Sequence, residues 1–174
     1  LEKDKALYYQ ALAVRAKGLE LAALNSEERF TLNQSDGTPQ DQTAVALWKQ
    51  LISDYPKSSY LSHAIEDIVY TQYAYMNRTD LAAQTALDYV SQQPQAVYAP
   101  SLLFTAGRYL EIQGKLEEAA QVWERIAVNY PSSDQSFQGA FFAGILHFRR
   151  GDLTAAVNSL NRAVLLALDP LETA

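Results

Sequence analysis

The apolar residues of this chain fall at helical spacing in one segment after another, and nowhere do they alternate over a useful length as a strand requires. Residues 6–24, rich in alanine and leucine, predict a helix of about five turns with Gly18 as a weak spot or a close contact. The one stretch of low hydrophobicity follows, 25–42, where Ser35, Asp36, Gly37, Thr38 and Pro39 are dense turn chemistry. It reads as a long mobile loop. Beyond it the pattern predicts helices over 43–55, 60–76, 81–93, 100–113, 116–129, 136–149 and 153–168. Asp80 and Asp152 are placed to cap two of them, and Glu117 and Glu118 sit where a helix dipole favours acids.

These segments are copies displaced by 37 residues. Gly114 matches Gly151 one copy on and Asn77 one copy back. Seven residues before that turn stand Tyr70, Gly107 and Gly144; five after it stand Ala82, Ala119 and Ala156; nine after it stand Ala86, Trp123 and Leu160. Pro94 and Pro131 close two copies, an earlier half-copy holds Ala44, Trp48 and Pro56 in the same relation, and the last copy ends at Pro170. Each position has a physical reason. Gly or Asn at the turn adopts positive φ and ends the first helix of a pair. Small residues at the glycine and alanine positions let helix axes approach to about 8–10 Å. The large residue four places on lies on the same face and fills the space between helices. Proline stops the second helix.

This pattern resembles the tetratricopeptide repeats over residues 42–170, about three and a half units, although the usual unit is about 34 residues long. The extra residues follow the proline, in Tyr-Pro-x-Ser junctions at Tyr55 and Tyr130. Those junctions resemble tetratricopeptide-like proteins of the bacterial cell envelope, and the texture is similar to the non-catalytic superhelical region of soluble lytic transglycosylases. The resemblance implies an all-α solenoid of antiparallel helix pairs, a right-handed superhelix of about seven helices. It implies a single repeat domain over 1–174 with units at 6–56, 59–94, 97–131 and 134–170. It also implies an inner surface lined by the first helix of each pair. Carried onto this chain, the lining positions are Asp67, Thr71, Ala74 and Tyr75; Phe104, Arg108, Glu111 and Ile112; Phe141, Ile145, Phe148 and Arg149. Tyr75, Phe104, Arg108, Glu111, Phe141, Phe148 and Arg149 form the candidate groove. Phe104 and Phe141 make an apolar ridge, with arginines to pair carboxylates of a protein or peptide or of a peptidoglycan glycan strand. The competing reading packs both phenylalanines against neighbouring helices.

Charge and composition narrow the function classes. A net charge of −6 and a pI near 4.9 argue against nucleic acid and against an anionic membrane surface. No apolar run approaches a membrane span, and the absence of cysteine excludes disulfides and thiolate metal sites. His147 falls at the position of Tyr73 and Leu110, which makes it a packing residue, and His63 reads as solvated. The adjacent acid pairs at Glu27, Glu66 and Glu117 point about 100° apart on a helix and form no acid–base couple. No nucleophile elbow, phosphate loop or metal motif is present, and transglycosylases carry a Glu-Ser dipeptide that this chain lacks. The sequence therefore predicts a non-catalytic scaffold without cofactor, exported or periplasmic. A chain that starts at Leu1 and stops after Pro170 reads as a piece of a longer protein.

Overall fold

The computed structural model describes residues 2–24 and 36–172, with side chains for 2–20 and 36–168. Among these are eight α-helices and no strand: α1 Lys3–Leu24, α2 Pro39–Asp54, α3 Leu61–Ala74, α4 Thr79–Gln92, α5 Ala99–Ile112, α6 Leu116–Asn129, α7 Ser136–Arg149 and α8 Leu153–Glu172. The architecture is an all-α solenoid of helix pairs, with eight helices where about seven were expected. The chain forms two compact units, Leu1–Thr85 and Ala86–Ala174.

The turns between paired helices follow the repeat. Asn77, Gly114 and Gly151 have φ of 51°, 76° and 81°. After the last two, the helix ends in a Schellman motif. Gly114 N–H donates to the Glu111 carbonyl and Lys115 N–H to Leu110; Gly151 donates to Phe148 and Asp152 to His147. At Asn77 the closing bond reaches one residue further, from Arg78 to Gln72. A Cβ at Gly114 would meet nothing within 4 Å. Gly114→Ala is therefore a test of conformation alone, and it should destabilise by about 1–2 kcal/mol in denaturant unfolding. A neutral result would contradict the turn.

The junctions between pairs also share one construction. Ser58, Ala96 and Ser133 N–H donate to the carbonyls of Tyr55, Gln93 and Tyr130, three residues back across the proline. A second turn follows each, from Leu61 to Ser58, Ala99 to Ala96 and Ser136 to Ser133. Proline at the second place of a β-turn supplies the fixed φ that the turn needs. These paired turns hold the residues that lengthen the unit beyond 34.

Four expectations change. Pro170 does not close the last helix, because α8 runs to Glu172; so near the end, proline removes only a bond or two of the ladder. Asp80 is not a cap: α4 starts at Thr79, and Asp80 instead takes two hydrogen bonds from the Arg78 guanidinium at 2.9 Å. Asp152 does cap α8, accepting from Ala155 N–H at 3.1 Å. The stretch 25–42 is shorter as a loop than predicted. Residues 25–35 lie outside the described residues, but Pro39 opens α2 behind a capping box of Thr38 and Asp41. Finally, Gly18 is a close contact, since a Cβ there would come within 2.7 Å of Gln40 Cβ. That contact sets the late part of α1 against the start of α2, so the two run antiparallel.

In the first unit the core of α1, α2 and α3 is Ala11, Ala44, Trp48, Leu51, Ala64 and Ile68, all fully buried. In the second, Trp123 fills the gap between α5 and α6, at 1% exposure. A Cβ on Gly107 would approach its ring within 2.3 Å. The same contact recurs one copy on, between Gly144 and Leu160 at 2.7 Å. The small-then-large spacing thus sets how closely the paired helices approach. Gly139 brings α7 equally close to α6, where its Cβ would stand 2.6 Å from the Trp123 carbonyl.

Candidate functional site

Six of the seven groove residues lie in the second unit, on α5 and α7. Trp123 anchors the floor: its indole N–H donates to the Phe104 carbonyl at 3.1 Å, and its ring lies 6.0 Å from that of Phe104. Phe142 leans on both, 5.8 Å from Phe104 and 5.2 Å from Trp123. Phe141 meets Phe142 edge-on at 5.6 Å and stacks on Phe137 at 6.1 Å. The two ridge residues are therefore joined through Phe142. Phe104 is half-buried, Phe141 is 40% exposed and Phe148 63%. Both readings of the ridge hold in part: Phe104 packs against neighbouring helices, and Phe141 presents much of its ring to solvent.

The polar edge differs from the expectation. Arg149 does not stand ready for an incoming carboxylate, because Glu111 holds it at 2.8 Å across from α7 to α5. Both side chains are partly exposed, so the pair contributes little stability and is open to exchange with a ligand. Arg108 is exposed and forms no ion pair among the described residues. It is the cation that this surface leaves for a partner. Ile112 on α5 and Ile145 on α7 are also exposed.

Tyr75 belongs to the first unit and to a different cluster. The Arg15 guanidinium lies 5.8 Å from its ring and 5.5 Å from that of Trp48, and Tyr70 meets it edge-on at 5.7 Å. Burial, followed by the nearby Tyr70, pushes its hydroxyl above the ordinary tyrosine range. Arg15 also pairs with Asp67 at 3.5 Å and donates to Thr71, and Asp67 accepts from the Tyr8 hydroxyl at 2.8 Å. Thr71, carried over as a lining residue, is fully buried. The repeat-derived positions therefore select mostly exposed residues in the second unit and mostly internal ones in the first.

Sequence reasoning missed Phe137 and Phe142, whose signal was the dense aromatic run of α7 itself. It also missed a buried polar network. His147 is buried as expected, but its Nε2 lies 3.1 Å from Glu124, which accepts from Ser159 at 2.9 Å. Tyr73 and Leu110 at the matching positions gave no sign of this. A cleft of about 180 Å³ adjoins the network, lined by Glu124, Ala127, Val128, Ala140, Asn158, Ser159 and Arg162. That is below the range of sites for small molecules, about 300–1,000 Å³.

A family model described as tetratricopeptide repeat matches residues 33–58 and 102–133. Among solved structures, a chain titled "MamA MSR-1 C2" superposes with a TM-score of 0.50 at 17% identity. The match covers 92% of this chain and 98% of that one. The two matched segments resemble tetratricopeptide repeats, and the fold is that of an all-α solenoid of helix pairs. Repeats of that kind are consistent with a scaffold for protein interaction, and the α5–α7 surface described above combines exposed rings with a cation. No curated protein matches the sequence. Among the described residues no helix is long and apolar enough to cross a membrane, and no group of three or more His, Cys, Asp or Glu is placed to hold a metal ion.

Proposed function

We propose that the second unit binds a peptide of a partner protein along the strip from Phe104 through Phe141 to Phe148, with Arg108 pairing a carboxylate of that peptide. The observation that supports this is the exposure of Phe137, Phe141, Ile145 and Phe148 along one side of α7, together with an exposed arginine, Arg108, one turn after Phe104 on α5. Aromatic rings set on a rigid helix offer large contact area at low entropic cost, and arginine supplies direction. Glu111 and Arg149 form the exchangeable rim. Neither this strip nor the small cleft is built for catalysis in this reading, which makes the chain an adaptor.

The test is a random peptide library selected on the protein. Peptides with large apolar anchors and an acidic residue are expected. Joint replacement of Phe141 and Phe148 by alanine should weaken them at least tenfold, because the two rings are 40% and 63% exposed and supply much of the apolar area of the strip. Selected peptides that bind this double variant unchanged would place the site elsewhere.

The reading as the superhelical region of a peptidoglycan transglycosylase rests on the texture of residues 46–56, 82–94 and 119–131, and its placement in the bacterial cell envelope on the Tyr-Pro-x-Ser junctions. In that reading the same strip guides a glycan strand, and the enzyme's catalytic part lies in a longer parent. Soluble peptidoglycan fragments that shift the amide signals of Phe104, Arg108 and Phe141, when selected peptides do not, would favour it over the adaptor.

A further inference from the structure

Aligned on the turn, α6, α7 and α8 depart from the preceding copy in one patch of their interior. Ala127, Ala140 and Ala163 form a buried cluster there. The matching residues one copy back are Val90, Leu103 and Ile126, all fully buried. Glu124, His147 and Ser159 stand where that copy has Leu87, Leu110 and Val122. Three large apolar side chains are thus replaced by alanines, and three more by a hydrogen-bonded polar network. The cleft of about 180 Å³ opens at this patch, lined by members of both sets. Polar groups in place of apolar ones cost desolvation, and alanines in place of larger residues give up contacts. The preceding copy repeats the helix pattern with neither change, so the fold alone does not account for them.

The network leaves a charge facing the cleft. Glu124 accepts from His147 Nε2 and Ser159 Oγ on the same oxygen, Oε1. Oε2 takes no hydrogen bond among the described residues, and the side chain is 39% exposed. His147 Nδ1 is buried without a hydrogen-bond partner. A neutral imidazole with its proton on Nε2 leaves no buried N–H unsatisfied, and it does not cancel the charge of Glu124. Across the cleft, Arg162 belongs to none of the ion pairs among the described residues. Arg162 and Asn158 are exposed, and so are their matches on α6, Arg125 and Gln121, although α7 packs on that helix. This side of the helix is therefore one that the repeat leaves open.

We propose that the cleft binds a free α-amino acid with a short aliphatic side chain. The ammonium group pairs with Glu124, the carboxylate pairs with Arg162, and the side chain lies against Ala127, Val128 and Ala140. Charge selects the zwitterion: a simple amine would meet Arg162, and a simple carboxylate would meet Glu124. Size sets the rest, since a cavity of about 150 Å³ holds a benzene ring, and valine is of that order. The site is separate from the α5–α7 strip and does not depend on what the strip binds.

Titration of the isotope-labelled chain with L-valine should shift the amide signals of Glu124, Ala127, Ser159 and Arg162, with a dissociation constant of roughly 1 mM or tighter. Isobutylamine and isovalerate, which lack the carboxylate and the ammonium group in turn, should each bind at least tenfold more weakly. Tryptophan should not enter. Glu124→Gln keeps a carbonyl oxygen for His147 and Ser159 but loses the charge, and it should weaken valine at least tenfold, as should Arg162→Met. Ala127→Val with Ala140→Leu restores the residues of the preceding copy and should abolish binding, with circular dichroism confirming that each variant is folded. No shift up to roughly 50 mM valine, equal binding of the amine or the carboxylate, or undiminished binding by the folded variants would each overturn the proposal.

Discussion

Replacing Trp123 by alanine is expected to destabilise the second unit by about 3–5 kcal/mol, the largest loss of any single substitution considered. The ring is 1% exposed and closes the space between α5 and α6. Its removal also takes away the contacts with Phe104 and Phe142 and the bond from the indole nitrogen to the Phe104 carbonyl. The loss extends beyond stability, because the ridge residue Phe104 rests on this ring. Partner binding at the strip should weaken in the variant even at temperatures where the chain stays folded. Denaturant unfolding followed by circular dichroism measures the first effect. A shift under about 1 kcal/mol would mean that the gap collapses at little cost, and that the tryptophan does not set the spacing of the pair.

Gly107→Ala should have the second largest effect, and its sign should depend on Trp123. With tryptophan present, the added methyl would lie 2.3 Å from Nε1 and 2.6 Å from Cδ1 of a ring that has no room to withdraw. Overpacking of this kind costs roughly 1–3 kcal/mol. With alanine at position 123 the obstruction is gone. The same substitution should then stabilise by about 0.5–1 kcal/mol, the ordinary advantage of alanine over glycine inside a helix. A double-mutant cycle reads the coupling directly. Additive effects would sever the link between the glycine and the aromatic position nine residues after the turn.

The success of sequence reading here follows from what a repeat makes visible. Positions with strict steric demands recur every 37 residues, so Asn77, Gly114 and Gly151 announced a left-handed turn before any backbone was known, and all three have positive φ. Gly107 with Trp123, and Gly144 with Leu160, stood out for the same reason. Helices α6 and α7 begin and end where the periodicity put them, at Leu116–Asn129 and Ser136–Arg149. Breaks in the repeat were harder to read. The capping box at Thr38 and Asp41 was taken for loop because Gly37 and Pro39 flank it, although proline is well suited to a first helical turn.

Of the candidate site, the sequence made the exposed rings legible and the ion pairs and ring contacts less so. Repeat geometry selected Phe104, Phe141 and Phe148 on one surface, yet no spacing rule tells that Arg149 is already held by Glu111 from the neighbouring helix, or that Phe142 joins the two ridge residues. Those are contacts between copies, and their partners differ from copy to copy. The same is true of Glu124, His147 and Ser159, which tie α6, α7 and α8 together through residues that have no counterpart elsewhere in the chain.

In the proposed function the α5–α7 strip receives the partner. Amide chemical shifts of the isotope-labelled chain, followed while a library-selected peptide is added, test it most directly. The largest shifts should gather at Phe104, Arg108, Phe141 and Phe148, with smaller ones at Glu111 and Arg149 as their ion pair opens. Shifts that gather instead around Arg15 and Tyr75, or along α8, would contradict it.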